Sequence, residues 1–145
     1  MMFISQQLVD LIERNADKLA QQWLLLVQQH HDTPTYHKFD PDALYRRSYS
    51  VYKKLGQWIA YDTTKEDIAK DYTVLGQERR EEGFALSEVI QALIITKRVL
   101  WLKVLNDGLL DTALELHRAL ELNNRVTLFY DRAIFYAALG YEKEA

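Results

Sequence analysis

Apolar residues recur at three- and four-residue steps along almost the whole chain, and only five glycines and two prolines punctuate its 145 residues. That spacing is one face of an α-helix, and so little punctuation favours a few long helices over many short strands. The rhythm predicts a first helix from Ile4 to Gln29, with Leu8, Leu11, Ile12, Leu19, Trp23, Leu26 and Val27 on one face. Asp10, Glu13, Arg14, Asp17 and Lys18 form its polar face. The segment His30 to Phe39, which contains Pro34, reads as a loop. Asp40 and Pro41 then make a helix start, because the carboxylate can cap free amides and proline occupies a first-turn position that needs no donor.

The second helix is expected to reach Tyr61, with Leu44, Val51, Leu55 and Trp58 in one apolar row and Tyr45, Tyr49, Tyr52 and Ile59 in another. Thr64 with Asp67 resembles a capping box at the start of the third, which should end near Glu82. Gly83 fits the left-handed residue that closes many helices, and Phe84 can fold back onto the last turn. A fourth helix runs from Leu86 to the stop at Asn106, Asp107 and Gly108. The fifth is expected from Asp111, with Thr112 and Glu115 as a second capping pattern, to Leu139, where Gly140 ends it. Its row is Ala113, Leu116, Leu120, Asn123, Thr127, Tyr130, Ile134 and Ala137. The expectation is one all-α domain over residues 1–145, a five-helix up-and-down bundle.

Composition excludes several function classes. With 48% hydrophobic and 27% charged residues the chain has the makings of a packed core and is not a disordered regulator. A net charge of −3 gives no overall footprint for nucleic acid or an anionic membrane. The absence of cysteine excludes disulfides, thiolate metal sites and cysteine nucleophiles. The start of the chain lacks the pattern of a secretion signal, and the longest mainly apolar run, Phe84 to Ile95, is too short to span a bilayer. A soluble cytoplasmic protein with no membrane partner is expected.

Catalytic signatures are missing. No GxGxxG, Walker A, HExxH, GxSxG or EF-hand pattern occurs, and no Glu-x-x-His pair of the di-iron bundles. The chain is therefore read as a non-enzyme with no catalytic residues, no metal and no cofactor. A haem- or metal-binding bundle is the alternative, using His117 or the cluster His30, His31 and His37. His117 and Glu121, one helical turn apart, read more simply as a surface pair. The tyrosines of the second helix alternate with Arg46, Arg47, Lys53 and Lys54, a mixture that single-stranded nucleic acid could use. A core edge with a solvated basic rim, or a dimer interface, explains the same residues better, so no nucleic-acid partner is expected.

The informative residue is Arg79. The third helix's apolar row Ile68, Tyr72, Leu75 continues onto it, placing a permanent charge on a packed face. Lys97 likewise interrupts the row Leu86, Ile90, Leu93, Leu100 and Val104. Arg79, Lys97, Arg98, Asn123 and Asp131 are the candidate ligand or latch residues, with Asp131 the preferred partner of Arg79, since a buried guanidinium needs a carboxylate. Two readings follow: a salt bridge tying the third helix to the fifth, or a pocket for a small anionic ligand or a partner's side chain.

Around Arg79 the chain reads LGxxRxxxGFxLSEV, carried by Leu75, Gly76, Arg79, Gly83, Phe84, Leu86, Ser87, Glu88 and Val89. Leu93, Arg98 and Trp101 follow, then Phe129, Tyr130, Asp131, Arg132 and Tyr141; Asn15, Ala16 and Trp23 add to the pattern at the start. In these residues the chain resembles the N-terminal domain family of the RsbT co-antagonist RsbRD, helical input modules of bacterial stress regulators and some sensor kinases. The resemblance implies a non-catalytic signal-transduction input module, dimeric, that binds a small ligand or a regulatory protein partner and responds by repacking its helices. In full-length regulators a separate domain supplies the output, and this chain ends soon after the bundle. The expectation is therefore an input role without the kinase-antagonist activity of the family name.

Overall fold

A computed structural model describes residues 6–60, 65–106 and 112–143, with the backbone alone for residues 6–8, 56, 57, 59 and 60. These residues form seven helices and no strand: α1 (Gln6–Arg14), α2 (Ala16–Gln29), α3 (Pro34–Lys38), α4 (Pro41–Ala60), α5 (Lys65–Glu81), α6 (Leu86–Asn106) and α7 (Ala113–Glu142). The all-helical class is as expected, whereas the count of five is not. Among the described residues no helix is long and apolar enough to cross a membrane.

The first expected helix is broken at Asn15. Its side-chain Nδ2 donates to the Leu11 carbonyl at 2.8 Å and its backbone N–H reaches the same oxygen at 3.2 Å. An asparagine that competes with the backbone for a carbonyl disturbs helix geometry, and at φ −103°, ψ 12° the residue separates α1 from α2. The apolar face still holds across the break, burying Leu11, Ile12, Leu19, Trp23 and Val27. The expected loop between the first two helices contains α3. Thr33 donates its hydroxyl to the Val27 carbonyl at 2.7 Å, closing the end of α2, and Pro34 opens the short helix that buries Tyr36.

At the far end, Thr112 caps α7 as expected, its Oγ1 accepting from the Glu115 N–H at 3.1 Å. The expected features at Thr64, Asp107, Gly108 and Asp111 lie outside the described residues. The buried face of α7 matches the row read in sequence only toward its end: Tyr130 and Ala137 of that row are inside together with Ala119, Leu122, Val126, Phe129, Ala133 and Gly140, while Leu116 and Leu120 are exposed. Gly140 does not stop the helix. It lies within it, because α7 needs a residue without a side chain there to reach α5.

The contact between α5 and α7 is the most extensive of any helix pair. A Cβ on Gly76 would come within 2.0 Å of the Ala137 carbonyl oxygen, and a Cβ on Gly140 within 2.0 Å of the Thr73 carbonyl oxygen. The two backbones touch directly. Against this pair lies α6, two of whose carbonyls, one turn apart, accept from side chains of two other helices. Trp23 Nε1 donates to Ala92 O at 3.1 Å and the Tyr52 hydroxyl to Thr96 O at 2.8 Å, so α2 and α4 are both registered on α6.

Since backbone atoms cannot retreat as side chains can, Gly76→Ala or Gly140→Ala should force α5 and α7 apart. The expected loss is about 3 kcal/mol for either substitution, at the upper end for overpacking. Urea denaturation of both variants checks this, and two mild effects would show that the helices can slide.

Candidate functional site

The site grows from the turn between α5 and α6. Gly83 adopts φ +94°, the Phe84 N–H donates to Arg79 O at 3.0 Å, and the Gly83 N–H to Arg80 O at 3.1 Å. This paired closure needs a residue free of the Cβ penalty at its left-handed position. It delivers Phe84 into the core, where its ring lies 4.4 Å from Tyr36 and 5.0 Å from Phe39. The expected fold-back of Phe84 is thus directed at the α3 segment.

Glu88 secures the same corner. It is only 4% exposed, and its carboxylate accepts from the Thr35 N–H at 2.6 Å, the Thr35 hydroxyl at 2.7 Å and the Ala85 N–H at 3.0 Å. The last bond is the reach-back half of a capping box at the start of α6. The others satisfy the opening of α3, so one buried carboxylate joins two helix starts far apart in sequence. Tyr141 adds a third strand of contact by donating its hydroxyl to Phe84 O at 2.8 Å.

Arg79 is where the helical row puts it, with its side chain 13% exposed. Its partner is not Asp131, which is exposed on α7. It is Glu82, one turn along the same chain segment: Arg79 Nη1 donates to Glu82 Oε1 at 3.1 Å and lies 3.8 Å from Glu78. Glu82 belongs first to another residue. Arg47 on α4 grips it with both terminal nitrogens, Nη1 to Oε1 at 3.0 Å and Nη2 to Oε2, and stacks its guanidinium over the Phe39 ring at 5.1 Å. Two cations therefore share one carboxylate. Burial and the Arg47 charge both weaken the proton affinity of Arg79, while Glu82 is held below the ordinary carboxylate range because the two arginines outweigh the upward push of burial.

Beside this cluster a part-open cavity of about 60 Å³ lies between the helices. Trp23 and Tyr36 contribute from α2 and α3; Leu44, Arg47, Ser48 and Val51 from α4; Leu75 and Arg79 from α5; and Val89, Ala92, Leu93 and Thr96 from α6. Ser48 is 6% exposed and its hydroxyl has no hydrogen-bond partner. A wider hollow of about 190 Å³ shares Val51 and Leu75 with the first.

The other candidates do not converge on this place. Arg98 is exposed, Lys97 is half-buried on α6 outside the cavity wall, and half-buried Asn123 lines a separate narrow cleft with Leu100 and Trp101. Lys97 and Arg98 are successive residues of α6 and so point about 100° apart, and Asn123 belongs to α7. Nor does His117 pair with Glu121, which instead accepts from Arg125 Nε at 3.1 Å. His30, His31 and Asp32 bring ligand-type atoms within 4.8 Å of one another. That group sits at the surface, and His30 Nδ1 already accepts from the Asp32 N–H at 3.1 Å.

Sequence reasoning missed Arg47, Ser48 and Glu82 as members of the site. Ser48 carried the same signal as Arg79, a polar residue in the row from Leu44 to Leu55. Glu82 carried a subtler one, since an acid at a helix C-terminus opposes the helix dipole and implies a cationic partner. Comparison with family models, curated proteins and solved structures finds no match for the chain.

Glu82 supplies a pH test. Because its folded pKa is depressed, its stabilisation is complete above its unfolded value and fades as pH falls through the depressed one. Glu82→Gln should cost about 2–3 kcal/mol at pH 7, for it leaves two arginines facing each other, and the gap from the parent should narrow by pH 3. Denaturation at both pH values measures it; an equal cost at each would show that the charge of Glu82 is immaterial.

Proposed function

We propose that the chain is a non-enzymatic signal-input module in which a small ligand entering the cavity beside Arg79 alters helix packing. The observation that carries this reading is the contested carboxylate. Glu82 is held by two arginines that both line a cavity, so an occupant that neutralises Arg79 weakens its hold on Glu82 and shifts that carboxylate toward Arg47. Such an occupant interacts differently with the two arrangements, which is what a ligand needs in order to shift an equilibrium. The resemblance to the RsbRD N-terminal domain family supports the same role. Its segment LGxxRxxxGFxLSEV supplies Leu75, Arg79 and Val89 of the cavity wall and the turn at Gly83 and Phe84 between α5 and α6.

A route for the response runs from that turn to α7. Arg80, next to Arg79, donates to the carbonyls of Tyr141 and Lys143 at 3.0 and 2.9 Å, and Tyr141 holds Phe84. Movement of the turn therefore pulls on the end of α7. The outer face of that helix exposes Leu114, Leu128, Phe135 and Leu139 along one line, the surface we assign to a homodimer or a regulatory protein partner. The protein acts in the cytoplasm in this reading.

Filling the cavity without any ligand tests the input role. Ser48→Val replaces the unpaired hydroxyl with apolar volume and should stabilise the fold by about 1 kcal/mol. Amide exchange should slow at Glu82–Phe84 and at the end of α7 as well as at the wall, and a change confined to the wall would sink the proposed route. For the assembly, Phe135→Glu should convert dimer to monomer in sedimentation experiments. A parent protein that sediments as a monomer at high concentration removes the dimer.

A further inference from the structure

Arg47 and Arg79 are unequally satisfied, and the difference defines a ligand. Arg47 has both terminal nitrogens on Glu82 and its face on Phe39. Arg79 engages its protein partners through Nη1 alone, and among the described residues its Nε and Nη2 donate to no protein atom. Two guanidiniums share the Glu82 carboxylate beside an apolar cavity, and the second acid near Arg79, Glu78, stands at 3.8 Å from the same Nη1 and leaves the other edge of Arg79 unmet. Leaving buried guanidinium N–H groups without acceptors is costly, and an anion reaching the free edge of Arg79 would remove that cost. A second unfilled valence lies in the same wall, the buried hydroxyl of Ser48.

The rest of the wall limits the anion. Leu44, Val51, Leu75 and Leu93 offer nothing to a strongly hydrated trianionic or dianionic group, and favour a ligand with a hydrocarbon end. Size is set by the cavity of about 60 Å³, which at about 10–15 Å³ per water-sized position accommodates about four to six non-hydrogen atoms. A single negative charge, a planar pair of acceptors suited to an arginine edge and a short apolar tail describe a carboxylate of two to four carbons.

We propose that this cavity binds a short-chain monocarboxylate, with the carboxylate on Arg79 and the Ser48 hydroxyl and the tail among the leucines and valine. This rests on the input reading above and names the chemical class of its ligand. The match is one of charge and volume together. Neither a neutral molecule of the same shape nor a larger fatty acid satisfies both.

Calorimetric titration of the full chain with propionate, propionamide and inorganic phosphate tests the class. Propionate should bind saturably and at least tenfold more tightly than propionamide or phosphate. Affinity along the series from acetate to hexanoate should peak at three or four carbons. Arg79→Gln should weaken propionate at least tenfold, and Ser48→Ala several-fold, in proteins whose circular dichroism matches the parent. Equal binding of propionamide would show that the cavity does not read charge, and tighter phosphate binding would make it an inorganic-anion site. No saturation by any acid of the series overturns the proposal outright. The length series needs only the parent protein, so it decides even if Arg79→Gln fails to fold. The outcomes also separate the two levels of inference. A Ser48→Val response without carboxylate binding overturns the ligand class alone, whereas propionate binding without any change in exchange at the turn and α7 leaves the site and removes the input role.

Discussion

The contact on which this structure turns is between two backbones. At Gly76 and Gly140, α5 and α7 approach so closely that neither position has room for a Cβ. Such a contact fixes the height and rotation of α5 far more tightly than interdigitating side chains would, since carbonyl groups have no rotamers to adjust. Arg79 lies three residues beyond Gly76, and the constraint aims it inward. Arg80, the very next residue, is aimed the other way, onto the last carbonyls of α7, where a cation also complements the helix dipole. One turn of helix thereby connects the interior of the bundle to the end of its longest helix.

The electrostatics of the interior follow from that placement. An arginine on a packed face must find a carboxylate, and the nearest, Glu82, is already committed to Arg47. The carboxylate is thus divided between two guanidiniums, and among the described residues the only other acid close to Arg79 is Glu78 at 3.8 Å, too far for a hydrogen bond. Ion pairs of this kind contribute little net stability, because desolvation offsets most of the attraction. The arrangement is better understood as a local imbalance than as a clamp. An imbalance is what an incoming group of opposite sign can relieve.

Around it, the turn from Glu82 to Ala85 gathers segments from the whole chain. Glu88 fastens α3 to the start of α6, Phe84 packs on Tyr36 and Phe39, and Tyr141 reaches the Phe84 carbonyl. Each of these groups is satisfied by a partner more than fifty residues away or across a helix boundary. Hence the turn cannot move without moving its neighbours, which is the physical basis for linking the cavity to the outer face of α7.

What the sequence determined by itself was periodic or local. The 3.6-residue rhythm made the chain helical, Pro41 and Thr112 marked helix starts, Gly83 and Phe84 marked a left-handed closure, and the row Ile68, Tyr72, Leu75 placed Arg79 on a packed face. Each depends on residues within a turn or two, so each was legible. Asn15 was missed because a long apolar stripe outweighed one competing side-chain bond. Tertiary structure alone decided that Gly140 serves contact instead of termination, that the first half of α7 buries Ala119 and Leu122 instead of Leu116 and Leu120, and that Arg79 meets Glu82 while Asp131 faces water. Those outcomes depend on how helices from different parts of the chain cross, and helical spacing says which residues share a face without saying which face will meet another.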